Sequence, residues 1–138
     1  MKIYTIGYGD KEFKELVKLL KRIDIKQVVD VRSFPKSKWP EYEKESLQKT
    51  LPEQGIEYVH LRELGGYRDG GYENYMETKN FQKGLDKLIE LAQKQSTVIM
   101  CLESYPNGCH RRFISQKLSE LGWEVIHLVG KKGKQRTL

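Results

Sequence analysis

Short runs of β-forming residues alternate along this chain with longer segments of helical period, and that alternation is the pattern of a parallel sheet covered by helices. Five runs read as strands: Lys2 to Ile6, Gln27 to Val31, Glu57 to Leu61, Thr97 to Leu102 and Glu124 to Leu128, each rich in Val, Ile or Tyr. Between the first two, Phe13, Leu16, Val17, Leu20 and Ile23 recur at spacings of three and four, which places them on one helical face, with Asp10 positioned to cap it. A shorter helix is expected over Lys44 to Thr50, where Leu47 and Leu51 share a face ahead of Pro52 and Gly55. Asn80 is positioned to cap a third helix that turns Phe81, Leu85 and Leu88 inward, and the last carries Phe113, Ile114, Leu118 and Leu121 to a stop at Gly122. Gly65 to Tyr72 is too glycine-rich for regular structure and reads as a flexible loop.

The expected fold is therefore α/β: a single domain with a mostly parallel five-stranded sheet flanked by helices, a Rossmann-like three-layer arrangement over residues 1–129. A length of 138 residues suits one domain with one real core. Residues 130–138 follow the last apolar run and read as a basic, flexible tail, with Lys131, Lys132, Lys134 and Arg136 set among glycines. That tail carries much of the formal charge of +6, which favours an anionic partner but, by itself, argues only for solubility and non-specific attraction. No apolar run approaches the ~20 residues of a membrane span, and the first residues read as a strand rather than a signal peptide, so a cytoplasmic protein without a membrane partner is expected. Cys101 and Cys109 are too few for a disulfide framework and lack the spacing of a redox pair or zinc site. Reduced thiols are expected, and neither a metal nor another cofactor.

Right-handed crossovers let all five strands run parallel, so their C-terminal ends open on one sheet edge, where ligands bind in such folds. Every exit on that edge carries reactive or adaptable residues. Gly7-Tyr8-Gly9 follows the first strand and offers close backbone approach to a ligand. The second ends in Asp30-Val31-Arg32, where acid and guanidinium can pair with each other or with a bound anion. His60 and Arg62 close the third strand, Cys101 and Glu103 the fourth, and His127 lies in the fifth.

The sharpest feature follows the fourth strand, where Cys109-His110-Arg111-Arg112 opens the last helix. Unpaired N–H groups and adjacent cations at a helix start favour thiolate over thiol, the condition that makes a cysteine nucleophilic. The same groups suit phosphate or carboxylate, with Arg111 and Arg112 strengthening the anion site and His110 able to move a proton near neutral pH. The plain alternative is a small residue packing a helix start. Cys101, inside an apolar strand, reads as a buried, inert thiol.

Thr5-Ile6-Gly7, Val29 to Pro35, Tyr58-Val59-His60-Leu61, Glu63-Leu64-Gly65-Gly66, Tyr75-Met76, Met100-Cys101-Leu102-Glu103 and Cys109-His110-Arg111 stand in an order that resembles the family catalogued as domain of unknown function 488, from Lys2 to about Leu128. The resemblance implies a compact α/β domain with a site at these motifs and names no substrate. A cysteine between strand and helix also invites comparison with cysteine phosphatases, but Cys-x5-Arg counted from Cys109 lands on Ser115, and from Cys101 on Asn107.

The reading that follows is a small cysteine-dependent enzyme acting on an anionic or nucleotide-like substrate. Cys109 is its nucleophile and His110 or Glu103 its acid or base; Gly7, Tyr8, Asp30, Arg32, His60, Arg62 and Arg111 are the substrate-binding candidates. The alternative is a nucleic-acid-binding module in which Lys36, Lys38, Arg111, Arg112 and the tail contact phosphates while Trp39, Tyr42, Tyr67 and Tyr72 stack on bases. A sensor using reversible oxidation of Cys109 needs the same exposed thiolate. The sequence leaves the oligomeric state open.

Overall fold

The structure is a computed structural model that describes residues 1–103, 105–106 and 109–137. In chain order its elements are β1 (Lys2–Gly7), α1 (Phe13–Arg22), β2 (Gln27–Asp30), α2 (Lys44–Glu53), β3 (Glu57–His60), the one-turn α3 (Tyr72–Tyr75), α4 (Lys79–Lys94), β4 (Thr97–Cys101), α5 (Arg111–Glu120), β5 (Glu124–Val129) and β6 (Lys134–Thr137). The strands form one sheet in the order β3-β2-β4-β1-β5-β6. β1 to β5 are parallel and β6 is antiparallel to β5.

Helices cover both faces, which is why β2 and β4 are buried at every position, with Val28-Val29 and Val98 to Cys101 reading as apolar runs rather than alternating ones. Side chains on a strand point alternately to the two faces. Val28 and Val98 therefore join Leu16 and Leu20 of α1 and Leu47 and Leu51 of α2. Their neighbours Val29 and Ile99 join Leu85 and Leu88 of α4 and Ile114 and Leu118 of α5. Each such side chain contributes roughly 1.5–3 kcal/mol by leaving water, and together they hold three layers in register.

The sheet gains a strand where the sequence suggests a tail. Gly130 and Gly133, at φ 73° and 68°, reverse the chain after β5, and Lys134–Thr137 then pair from Val129↔Lys134 to Ile126↔Thr137. All four β6 residues are exposed, so no apolar period announces them. The caps differ too. Asp10 does not cap α1 but holds the Lys11 ammonium at 2.7 Å, and Thr78, rather than Asn80, caps α4 by accepting the Phe81 N–H. The glycine-rich 65–72 segment ends in α3, anchored where the Tyr72 and Tyr75 hydroxyls donate to the carbonyls of Leu64 and Glu63. Among the described residues no helix is long and apolar enough to cross a membrane.

This topology prepares a crevice. β2 and β4 are neighbours, yet the chain leaves β2 toward β3 on one side and leaves β4 toward β5 on the other. The connections diverge above the C-terminal strand ends, and open α/β sheets bind ligands at such a point.

Candidate functional site

A cavity of about 330 Å³ occupies that crevice, within the size range of small-molecule sites. Tyr8 enters from the loop after β1, Arg32 and Lys36 from the loop after β2, and Cys101 and Glu103 from the end of β4; Cys109 and His110 close it from the start of α5. Phe34 and Tyr67 also line it and are 67% and 92% exposed, so two aromatic faces stand at its open side. Of the loop between β4 and α5, Ser104, Asn107 and Gly108 lie outside the described residues.

Arg32 is fixed before any ligand arrives. Its Nε and Nη2 donate to the fully buried Asp30 carboxylate at 2.9 and 2.7 Å, and its Nη1 donates to the Tyr8 hydroxyl at 3.1 Å. Tyr58 donates its hydroxyl to the same carboxylate at 2.5 Å, and the Arg32 backbone N–H makes a further bond to it at 3.1 Å. Burial works against the guanidinium charge, but Asp30 outweighs it and raises the Arg32 pKa; burial and Asp30 likewise raise that of Tyr58. Asp30 is thus fully engaged as the anchor of Arg32. Nε, one N–H of Nη1 and one of Nη2 are bonded, so two of the five guanidinium N–H groups have no partner among the described residues.

His110 and Cys109 form a second preorganised pair. His110 Nε2 lies 2.7 Å from the Val31 carbonyl oxygen, which only accepts, so Nε2 carries the proton and Nδ1 presents its lone pair. That lone pair faces Cys109 Sγ at 3.6 Å, within reach of the thiol proton. Burial pushes the His110 pKa down, the Val31 bond opposes this, and the Arg111 and Arg68 charges add to the fall, so the ring is neutral at pH 7. The Arg111 backbone N–H also points at Cys109 Sγ, at 3.4 Å, and favours developing negative charge on sulfur. Gly66 lets the ring sit there: a Cβ on Gly66 would stand 3.0 Å from His110 Nδ1. The sulfur atoms of Cys101 and Cys109 meet, so the two cysteines that the sequence suggests as separate thiols form a pair.

Arg111 turns away from the cavity. It is fully buried, with Nη1 donating to Thr5 Oγ1 at 2.9 Å and Nη2 to the Glu103 carbonyl at 2.5 Å. Burial lowers its pKa to about 10, which still leaves it cationic. Thr5 Oγ1 also lies 2.6 Å from His127 Nδ1. Burial first, then the charges of Arg111 and Arg136, push His127 down to about 4. Arg112 and His127 line a separate, smaller cavity of about 180 Å³ beside β6.

Of the residues singled out from the sequence, the fold brings Tyr8, Arg32, Glu103, Cys109 and His110 around one cavity. Asp30 supports from beneath, and His60 holds the Arg32 carbonyl with Nε2 at 2.6 Å rather than lining the cavity. Arg62 lies exposed on a helical turn after β3. Gly7 contributes its carbonyl, which accepts from the buried Lys11 ammonium at 3.0 Å. The close approach in the first loop is to the chain itself: a Cβ on Gly9 would stand 2.7 Å from the Leu102 carbonyl. Trp39 and Tyr42 pack against Tyr8, with Tyr42 stacked on it at 4.3 Å. Sequence reasoning passed over Lys11, and gave Tyr58 and Gly66 no role beyond standing in the motifs of the family resemblance; a tyrosine hydroxyl and a lysine ammonium that need buried partners were the further signals it offered.

A family model described as Domain of unknown function DUF488 matches residues 12–118, the stretch from just before α1 to the last turn of α5. No curated protein and no solved structure matches the chain.

Proposed function

Because this chain belongs to the DUF488 family, whose description names no reaction, we propose from the cavity itself that it is a small cysteine-dependent enzyme acting on an anionic, nucleotide-like substrate. The observation that carries the reading is the fixed tautomer of His110: with Nε2–H committed to Val31, Nδ1 has no role but to accept, and the atom before it is Cys109 Sγ. A nucleophile, a base within reach and a third group orienting the base make the arrangement that activates a thiol. Cys109 attacks an electrophilic centre of the substrate as His110 takes its proton, and the Arg111 N–H steadies the sulfur. Glu103 lines the cavity wall, and in this reading it exchanges a proton with the departing group.

The substrate class follows from the other walls. Arg32, held rigid by Asp30, offers two N–H groups that have no partner among the described residues, and Lys36 adds a second cation, so a phosphate or carboxylate is favoured between them. Phe34 and Tyr67 offer flat faces at the entrance for a planar ring. Arg62 and Arg111 have no place in this clamp, because neither lines the cavity.

The test is the alkylation rate of Cys109 against pH, followed by mass spectrometry on protein kept reduced, with Cys101 as internal comparison. The expected result is a midpoint well below the ordinary thiol value of about 8.5 and a rate suppressed by adenosine monophosphate more than by inorganic phosphate. Equal and slow alkylation of both cysteines at pH 7 would remove the nucleophile.

A further inference from the structure

We propose that Cys101 is the resolving thiol of Cys109, and that the pair reduces hydroperoxides through an intramolecular disulfide. The inference rests on Cys109 as the nucleophile and adds a second reacting residue and a second substrate class. Its basis is the juxtaposition of two sulfurs from different elements: Cys101 ends β4, Cys109 precedes α5, and their side chains meet at the cavity wall.

The two sulfurs are not equivalent. Cys109 has the His110 lone pair at 3.6 Å and a backbone N–H at 3.4 Å, whereas no hydrogen-bond partner of Cys101 Sγ is present among the described residues. Cys101 is 2% exposed inside the core packed by α4 and α5. A thiol in apolar surroundings stays protonated and inert toward solutes. Toward a sulfur already in contact it needs no encounter, and such proximity is worth several orders of magnitude in rate. The environment thus separates the roles, with an activated attacking sulfur and a shielded one that reacts only with its neighbour.

The chemistry balances with a hydroperoxide as oxidant. Cys109 Sγ, its proton taken by His110 Nδ1, attacks the terminal oxygen of ROOH; the S–O bond forms, the O–O bond breaks, and the alkoxide leaves with the proton as ROH. The sulfur is then a sulfenic acid. Cys101 Sγ attacks it, the S–S bond forms, the S–O bond breaks, and hydroxide leaves with the Cys101 proton as water. A small dithiol reductant returns two electrons by exchange and restores both thiols.

Mass spectrometry of the whole reduced protein after one equivalent of hydrogen peroxide tests this. The wild type is expected to lose two hydrogens and yield a linked Cys101–Cys109 peptide at a rate independent of protein concentration, and dithiothreitol is expected to sustain peroxide consumption. The C101S variant is expected to accumulate a Cys109 sulfenic acid that a cyclic dione traps. Trapped sulfenic or sulfinic acid on wild-type Cys109 without the linked peptide overturns the resolving role while leaving the nucleophile intact. Failure of Cys109 to oxidise, with its alkylation fast, overturns the peroxide reaction alone. Slow alkylation with no oxidation removes the nucleophile and this proposal with it. Because the linked peptide is read on the wild type, the result does not depend on C101S folding.

Discussion

The Val31 carbonyl, at the exit of β2, sets the chemistry of His110, a residue 79 positions later, by accepting its Nε2 proton at 2.7 Å. Without that acceptor either tautomer is open to the ring, and the lone pair facing Cys109 is no longer assured. His110→Phe keeps a ring in the same space and removes the base. The expected outcome is a fall of about a hundredfold in the Cys109 alkylation rate at pH 7, at the modest end of what a positioned base contributes. The pH midpoint rises toward the ordinary thiol value. An unchanged midpoint would show that His110 only packs.

Gly66 is the second handle on the same pair. A methyl group there would stand 3.0 Å from His110 Nδ1, and the ring must give way by a few tenths of an ångström. Gly66 does not occupy the left-handed region, so Gly66→Ala introduces no backbone strain. The variant is expected to fold with nearly the wild-type melting temperature and to lose Cys109 reactivity severalfold. Thermal melts and alkylation rates on one preparation separate the two effects.

The three-layer fold was legible because strands buried on both faces write themselves as apolar runs, as in Val98 to Cys101, and helices covering them show a period, as in Leu16 to Leu20. β6 was not legible: an exposed edge strand of Lys134, Gln135, Arg136 and Thr137 carries no apolar alternation, and turn glycines are its only trace. The site was half legible. Position at strand exits follows from topology, which is how the sequence brings Arg32, Glu103, Cys109 and His110 to the rim where they line the cavity. Direction does not follow, because whether a side chain faces the crevice depends on pairings far away in sequence. Arg111 is the example, one residue from His110 yet turned to Thr5 on the neighbouring strand. The Cys101–Cys109 contact depends in the same way on how α5 returns to the sheet.

Asp30 and Arg32 give a prediction about stability. The carboxylate is fully buried and takes bonds from Arg32 and Tyr58. Asp30→Ala leaves a buried guanidinium without its counter-ion, a change that costs about 3–5 kcal/mol. Tyr58→Phe removes one hydrogen bond to a charged group and costs about 1.5–3 kcal/mol. Urea unfolding measures both, and the ordering is the test. A larger loss for Tyr58→Phe would mean that Asp30 is not the anchor of Arg32.

His127 supplies the pH dependence. Burial, with the charges of Arg111 from α5 and Arg136 from β6, pushes it down to about 4, while Thr5 engages Nδ1 of the neutral ring. In the unfolded chain the same ring titrates near its ordinary value of about 6.5. Between those values the unfolded state binds a proton that the folded state refuses. Stability from this residue is therefore complete above about pH 6.5, falls as pH falls toward 4, and levels off below. The slope from one such group is at most about 1.4 kcal/mol per pH unit. His127→Gln keeps a hydrogen-bonding side chain and removes the titration. Urea midpoints for wild type and variant are expected to converge as pH drops from 7 to 4, because only the wild type loses this contribution. His110, also depressed, is common to both proteins and cancels in the difference. A gap between the two proteins that stays constant across that window would show that His127 is charged in the fold, and the buried Thr5–His127–Arg111 network would then have to carry two adjacent cations.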